Sequence, residues 1–368
     1  MTPEQLDIKA LKTAIAEEGA LWEAGETDYS SLSADEQNLL LGYTPGPEDP
    51  SLEESERMAE EGLKAFMALE AAEIAYPASY DLRNVGGNNF ITPVKNQGGC
   101  GSCVAFGVAA TVEGAYRRLH NNPNLAVDYS EAHLFYCHAR AEGRRCNNGW
   151  WTSKALDAFR DKGVVDEACY PYTAGDQDCT GLCADAQNRL TKITGWKRLT
   201  SVSEMKDWIS TKGPLAACFT VYQDFFNYKS GVYKHISGQA VGGHCVCCVG
   251  YNDSQKYWIM KNSWGNTFGE SGYFRIAYGQ CGIDSFMDVV EGVGDLPWQK
   301  NKRITGLWAI NQNRNAWVYV QGMGWFKVSP DNDNIFFDML SQLIAAKAGQ
   351  RRVDFYQENR VIKQVYVF

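Results

Sequence analysis

Cysteine is missing from both ends of this 368-residue chain: all twelve lie between Cys100 and Cys281. Basic residues are scarce in residues 1–75, which carry four Lys/Arg against 18 Asp/Glu. Histidine is scarce everywhere, with only His120, His133, His138, His235 and His244. No apolar run reaches the ~18 residues needed to cross a membrane, so no membrane span is expected. The opening MTPEQLDIKALKTAIA has neither the basic nor the apolar segment of a secretion signal. A protein that stays inside the cell is expected, or one whose targeting peptide is absent from this chain. No dense Lys/Arg cluster is present, and the positive surplus after residue 75 is thin over so long a stretch. A nucleic-acid partner is therefore not expected.

These absences divide the chain into an acidic, cysteine-free leader (1–75), a cysteine-rich middle (76–295) and a cysteine-free tail (296–368). With 45% hydrophobic and 21% charged residues, the chain can bury a large core. In the leader, Leu6, Leu11, Ile15 and Leu21 recur near helical spacing. Ser33 followed by Glu36 reads as a capping box, with Gly42 ending that helix. Thr44–Ser51 carries three prolines, and residues 51–75 predict an amphipathic helix with acids at its start. The tail predicts strands at KRITGLWAI, NAWVYVQ and GWFKVS, then a helix over IFFDMLSQLIAAKA capped by Asp331 or Asn332, then a hairpin around Glu358-Asn359.

The middle holds the chemistry. In Gln97-Gly-Gly-Cys-Gly-Ser-Cys103 a Gly-rich loop runs into a helix that starts near Ser102 or Cys103, with Val104, Val108, Val112, Tyr116 and Leu119 as its buried stripe. A thiol at a helix N-terminus feels the positive end of the dipole, which favours the thiolate. The Gln97 amide and the Cys103 N–H supply two donors for an oxyanion. A thiolate nucleophile needs an acid–base partner. His244, after Gly242-Gly243, enters the apolar strand HCVCCVGY. The Asn262 carbonyl can orient that imidazole, and Trp264 can shield the bond from water.

QGGCGSCVAF, GGHCVCCVGY and YWIMKNSWGNTFGESGYFRI, in this order, resemble the signature blocks of papain-like cysteine peptidases; PVKNQG, CNNGW and YPY also match. The resemblance covers residues 78–290. It implies an α+β fold of two lobes, one helical and one β-barrel-like, with a helical pro-segment; the tail lies outside the resemblance and reads from its own pattern as a small α+β extension. It makes Cys103 the nucleophile, His244 the acid/base, Asn262 its orienter and Gln97 part of the oxyanion hole, with no cofactor or metal. The expected function is a cysteine-type endopeptidase made as a zymogen. Protein or peptide substrates pass through a thiolate/imidazolium pair and a thioester, and the leader is an intramolecular inhibitor. Two alternatives stand beside it: an inactive peptide-binding relative, and a Cys–His acyl transferase.

The resemblance places Trp150, Trp151, Asn148, Gly149, Cys218, Gly243, Trp264 and Phe286 along the substrate cleft. An apolar pocket for the second residue before the cut follows, with no acid placed at its end. Val104, Asn148 and Phe268 depart from the family's usual Trp, Gly and Trp. Disulfides Cys100–Cys146 and Cys137–Cys179 are implied, with Cys169 and Cys183 open to a third bridge. Cys137, His138, Cys179 and Cys183 also admit a zinc reading, which the disulfides displace. Such bridges point to an oxidising compartment, secreted, periplasmic or lysosome-like, with the cytoplasm as the alternative. The leader's Thr44–Pro50 stretch is expected to run extended across Cys103, drawn there by charge.

Overall fold

The computed structural model describes residues 6–68, 76–294, 298–310, 312–358 and 360–368. The chain forms two compact units. One contains Met1–Leu182 and Ile193–Gly292, the other Cys183–Lys192 and Val293–Phe368.

In the first unit the leader begins with α1 (Ile8–Glu17), whose N-terminal N–H groups at Lys9 and Ala10 donate to the Asp7 carboxylate. Leu11 and Ile15 form its buried face, and β1 (Trp22–Ala24) follows. In α2 (Ala34–Asn38) Ser33 and Glu36 close the expected capping box. Gly42 does not end that helix. Its C-cap is Leu39, and the chain leaves through a turn at Leu39–Leu40 into the non-helical stretch Leu41–Thr44. The acidic helix is α3 (Leu52–Ala68), with Glu53 and Glu54 in its first turn. The remainder of the helix expected to 75 lies outside the described residues.

After β2 (Ser79–Asp81) comes α4 (Cys103–Leu119), then a π-helical turn (His133–Ala139) and α5 (Thr152–Asp161). The expected stripe on α4 is too narrow: every residue from Cys103 to Tyr116 is buried, while Leu119 is exposed. Periodicity underestimates a helix that is covered on all sides. The strand-rich lobe follows as β3 (Ile193–Leu199), α6 (Val202–Thr211), β4 (Leu215–Tyr222), β5 (Tyr228–Tyr233), β6 (Ala240–Asn252), β7 (Tyr257–Lys261), β8 (Tyr273–Ala277) and β9 (Met287–Val293). These strands form one sheet in the order β1-β5-β8-β7-β6-β4-β9-β3, with β2 also paired to β6. The leader's β1 is thus an edge strand of the sheet, antiparallel to β5. The fold is α+β with a helical and a β-rich lobe.

The lobes meet where α4 lies on β6. A Cβ added at Gly107 would stand 2.8 Å from the Cys245 sulfur and 3.3 Å from the Val246 nitrogen. That glycine lets helix backbone approach strand backbone, one turn along from Cys103.

The second unit is a five-stranded closed barrel. Its strands are β10 (Trp298–Ala309), β11 (Ala316–Val320), β12 (Gly324–Val328), β13 (Arg352–Glu358) and β14 (Val361–Val367), with α7 (Asp333–Ala348) inserted after β12. The strand order is β10-β11-β12-β14-β13, and only β12 and β14 pair in parallel among these strands. Asn332 caps α7 by accepting from the Ile335 N–H at 2.9 Å. Inward-facing Val318, Val320, Phe326, Phe355 and Ile362 pack with Phe336 and Leu343 of α7. Among the described residues, no helix is long and apolar enough to cross a membrane.

Replacing Gly107 by Ala in a Cys103→Ala background should destabilise the first unit by about 1–3 kcal/mol through overpacking of the seam. Chemical denaturation followed by tryptophan fluorescence checks this.

Candidate active site

Cys103 is the first residue of α4, preceded by Ser102 as N-cap with no side-chain cap of its own. Ser102 instead shares a 2.8 Å hydrogen bond with the Tyr172 hydroxyl, which also donates to the Gln97 carbonyl at 2.8 Å. Gln97 is held on three further sides. Its N–H donates to the Ser263 carbonyl at 2.8 Å, its Oε1 accepts from Ser263 Oγ at 2.6 Å, and its Nε2 donates to the Cys100 carbonyl at 2.8 Å. The amide therefore has one orientation, with Nε2 facing the loop before Cys103. Cys100 is bonded to Cys146, and Cys137 to Cys179. Cys169 and Cys183 are also disulfide-bonded, whereas Cys103, Cys218, Cys245, Cys247, Cys248 and Cys281 are free and buried.

His244 lies on β6, and its Nε2 is 2.7 Å from Asn262 Oδ1. That oxygen also accepts from the Ser263 N–H at 2.8 Å, which fixes the amide. The Trp264 ring lies 4.8 Å from the imidazole, centroid to centroid, and Phe219 closes another side at 5.9 Å. Among the described residues, His244 Nδ1 has no hydrogen-bond partner. The Cys103 sulfur accepts instead from the Cys245 N–H at 3.4 Å. Burial pushes the Cys103 thiol up, aided by the neighbouring Cys245 thiol and opposed by N–H groups of Cys245, Gly42 and Val104. Burial also pushes His244 down to about 4, against the Asn262 hydrogen bond. In this state both groups are neutral over the physiological range. The helix dipole favours a thiolate at Cys103, but loss of solvent outweighs it.

What removes the solvent is the leader, by a stretch earlier than the one expected. Leu40–Thr44, not Thr44–Pro50, fills the cleft. The Leu40 carbonyl accepts from Gln97 Nε2 at 3.0 Å. The N–H groups of Gly42 and Tyr43 both donate to the Gly243 carbonyl, at 3.2 and 3.0 Å. On the opposite wall the Trp150 N–H donates to Gly42 at 2.8 Å and the Trp150 carbonyl accepts from Thr44 at 2.9 Å. Thr44 Oγ1 also donates to the Asn148 carbonyl at 2.9 Å. Leader and walls approach as glycine to glycine. A Cβ at Gly42 would fall 2.0 Å from the Gly101 oxygen, one at Gly149 2.0 Å from the Gly42 oxygen, and one at Gly243 2.3 Å from the Tyr43 oxygen.

The expected pocket residues behave differently from one another. Trp150 offers only backbone to the leader: its ring is buried and its Nε1 donates to Glu142 at 3.0 Å. The Asn148 side chain turns back to its own loop, accepting from the Arg145 N–H at 2.7 Å. Trp151 carries Arg144 on its ring at 4.2 Å and lies against Gly46 of the leader. Cys218 and Cys245 lie close enough to the buried Tyr43 side chain to act on its hydroxyl electrostatically. Phe286 has the Arg198 guanidinium stacked on its ring at 3.7 Å. No acid was expected at the pocket's end, yet buried Asp288 is there. Arg198 Nε binds it at 2.8 Å and Thr152 Oγ1 at 2.5 Å. Arg198 Nη1 binds the leader's Asp49 at 2.6 Å. The Asp49 carboxylate also accepts from the Gly46 N–H at 2.9 Å.

Several participants went unnoticed in the sequence. Tyr29 donates its hydroxyl to the Trp264 carbonyl and packs on that ring at 5.4 Å. Arg198 and Asp49 carry no local pattern, whereas Ser263 and Tyr172 lie inside the quoted KNSWG and YPY motifs without their contacts to Gln97 being foreseen. Leu39-Leu40-Leu41-Gly42-Tyr43 does carry a pattern: it is an apolar run inside an acidic leader. The docking is also less electrostatic than expected. Buried Leu11, Ile15, Trp22, Tyr29, Leu40, Leu41 and Tyr43 dominate it, with Asp49–Arg198 as its one mostly buried ion pair among the described residues.

Known proteins are similar to this chain in sequence and fold. The family model described as papain family cysteine protease matches residues 76–290. Cathepsin B-like CP3 of Giardia intestinalis is 38% identical over 222 residues, covering 56% of this chain and 72% of that protein. Among solved structures, procathepsin B S9 from Trypanosoma congolense superposes with a TM-score of 0.61 at 23% identity, over 77% of this chain and 98% of that one. Procathepsin L2 from the larval midgut of Tenebrio molitor gives 0.60 at 27% identity, over 77% and 88%. The chain belongs to the papain family of cysteine peptidases, and it is a zymogen of that family.

Proposed function

We propose that residues 1–75 hold a cysteine endopeptidase latent and that Cys103, His244, Asn262 and Gln97 carry its chemistry once the leader has gone. The observation that carries this reading is the Leu40 carbonyl at Gln97 Nε2, with Gly42 N–H and Tyr43 N–H on Gly243. A leader peptide occupies the donor and acceptor groups a substrate would use. With water readmitted, the thiol falls, His244 rises, and the proton passes from sulfur to Nδ1, the ring nitrogen that Asn262 leaves open. The thiolate attacks the substrate carbonyl carbon, and the Gln97 amide and Cys103 N–H take up the negative oxygen. His244 protonates the leaving amine as the C–N bond breaks, leaving a thioester on Cys103. Water, deprotonated by His244, attacks that thioester and restores the thiol.

Tyr43 also supports a specificity. Its ring occupies the apolar recess beside Cys218 and Cys245, so a hydrophobic or aromatic side chain is preferred two residues before the cut. Arg198 neutralises Asp288 at the far end, which removes the charge that would draw a basic side chain there. The disulfides support an oxidising compartment, secreted or lysosome-like.

Three outcomes follow. A fragment starting at residue 76 should hydrolyse a peptide substrate at least a hundredfold faster than the full chain under conditions where no leader is cut. It should react with an epoxide inhibitor at Cys103, and Cys103→Ala should abolish both. Equal activity of fragment and full chain would sink the leader's role.

Gly42→Ala should weaken a separate leader fragment (residues 1–75) as an inhibitor by tenfold or more, because its Cβ has no room against Gly101. Inhibition constants measured on the fragment starting at residue 76 read this directly.

Acid should release the leader. His244 titrates near 4 when covered and higher when exposed. The uncovered state therefore binds more protons between those two values, and docking, fully favourable above the exposed value, is lost progressively as pH falls toward 4. Leader binding to Cys103→Ala core should weaken from pH 7 to pH 4.5. The pH dependence should flatten in a Cys103→Ala/His244→Asn core.

A further inference from the structure

The barrel of the second unit carries an exposed aromatic face that the peptidase chemistry does not use. On β11, Ala316, Val318 and Val320 point inward, so Trp317 and Tyr319 point outward; on β12, Phe326 and Val328 point inward and Trp325 and Lys327 outward. Strand register places these outward residues in two rows. Trp308, Trp317 and Lys327 are direct cross-strand partners, and so are Gly306, Tyr319 and Trp325. Two rows over three strands make a patch of roughly 10 Å by 7 Å. Trp308 is 46% exposed, Tyr319 39% and Trp325 43%, large values for rings that a monomer would otherwise bury.

The face is ordered before any ligand arrives. Trp317 Nε1 donates to Asn315 Oδ1 at 2.8 Å. Tyr319 and Trp325 meet edge to face at 5.3 Å. A Cβ at Gly306 would come 3.3 Å from Trp325 Cη2. The Trp325 indole thus reaches across β11 and lies along the sheet, over the strip that Gly306 leaves bare.

Charge narrows the occupant. Residues 296–368 hold ten Lys/Arg and five Asp/Glu. The positive surplus that looks thin over residues 76–368 belongs to this stretch. Two of its acids are engaged, Asp331 with Lys363 and Asp333 with Arg314, and Lys327 stands within the aromatic rows. Small five-stranded barrels can bind oligonucleotides or oligosaccharides on the face of their second and third strands. The disulfides support an oxidising compartment, and in such a compartment anionic glycans are a more accessible polyanion than single-stranded nucleic acids.

We propose that the β10–β11–β12 face binds an anionic oligosaccharide. The polarised C–H faces of its sugar rings lie on the electron-rich faces of Trp308, Trp317, Tyr319 and Trp325, and Lys327 pairs with a sulfate or carboxylate. This gives the chain a binding function that is separate from peptide hydrolysis.

The test uses the full chain carrying Cys103→Ala, so that no self-cleavage intervenes, and a heparin octasaccharide as probe in calorimetry. Saturable binding that weakens with added salt is expected. Trp308→Ala/Trp325→Ala should lose tenfold or more in affinity, and Lys327→Glu should lose affinity and flatten the salt dependence. The same aromatic pair in a Cys103-intact fragment starting at residue 76 should leave peptide hydrolysis unchanged. Absence of heparin binding overturns the proposal. So does an affinity indifferent to the aromatic replacements, equal affinity for neutral cellohexaose, or tighter binding of a thymidine 15-mer.

Discussion

Latency in this chain depends on how closely two stretches of backbone approach at Gly42. Its Cα passes between Gly101 on the nucleophile's loop and Gly149 on the facing wall, and its neighbour Tyr43 lies on Gly243. Side chains at these positions would hold the backbones apart and break the hydrogen bonds that align them. Everything else in the cleft follows from that approach. It buries Cys103 and His244, which favours the neutral form of each, and delivers the Leu40 carbonyl to the Gln97 amide. On the proposed reading, the chemistry is suppressed by withholding solvent from an intact set of groups.

The same close approach explains how little charge the docking needs. A balance of 18 acids to four bases in residues 1–75 invites an electrostatic account. Yet several of those acids lie on outward helix faces, such as Glu54 and Glu61 flanking Arg57, where ion pairs contribute little. Asp49 differs because it is buried against Arg198, which already serves Asp288. The pair fixes where the leader lies more than how tightly it holds, since apolar packing from Leu11 to Tyr43 covers far more surface.

Much of this was legible in the sequence because the relevant signals are local. The Ser33–Glu36 capping box, the Asn332 cap, the glycine loop into α4 and the strands around His244 and Asn262 each depend on neighbours a few residues away. The leader's register in the cleft was not legible. Gly42 reads as a helix stop, and only contact with Gly101, some sixty residues on, shows that its missing side chain serves a crossing. Arg198 and Asp288 escaped for the same reason, since their meaning lies in each other and in Asp49. Barrel closure escaped too: five short strands and a helix fit an open sheet equally well, and the parallel β12–β14 pairing leaves no trace in alternation.

Tyr29 gives the leader a second hold, on the carbonyl of Trp264 beside His244, while Leu40–Thr44 holds the nucleophile's side. The leader is therefore a bivalent ligand whose linker is its own chain, including α2. Each hold raises the local concentration of the other. One cut between Tyr29 and Leu40 turns a single intramolecular clamp into separate weak ligands, one of them free to diffuse away. Latency of this kind ends abruptly, at the first nick in a short connecting segment, well before the whole leader is digested.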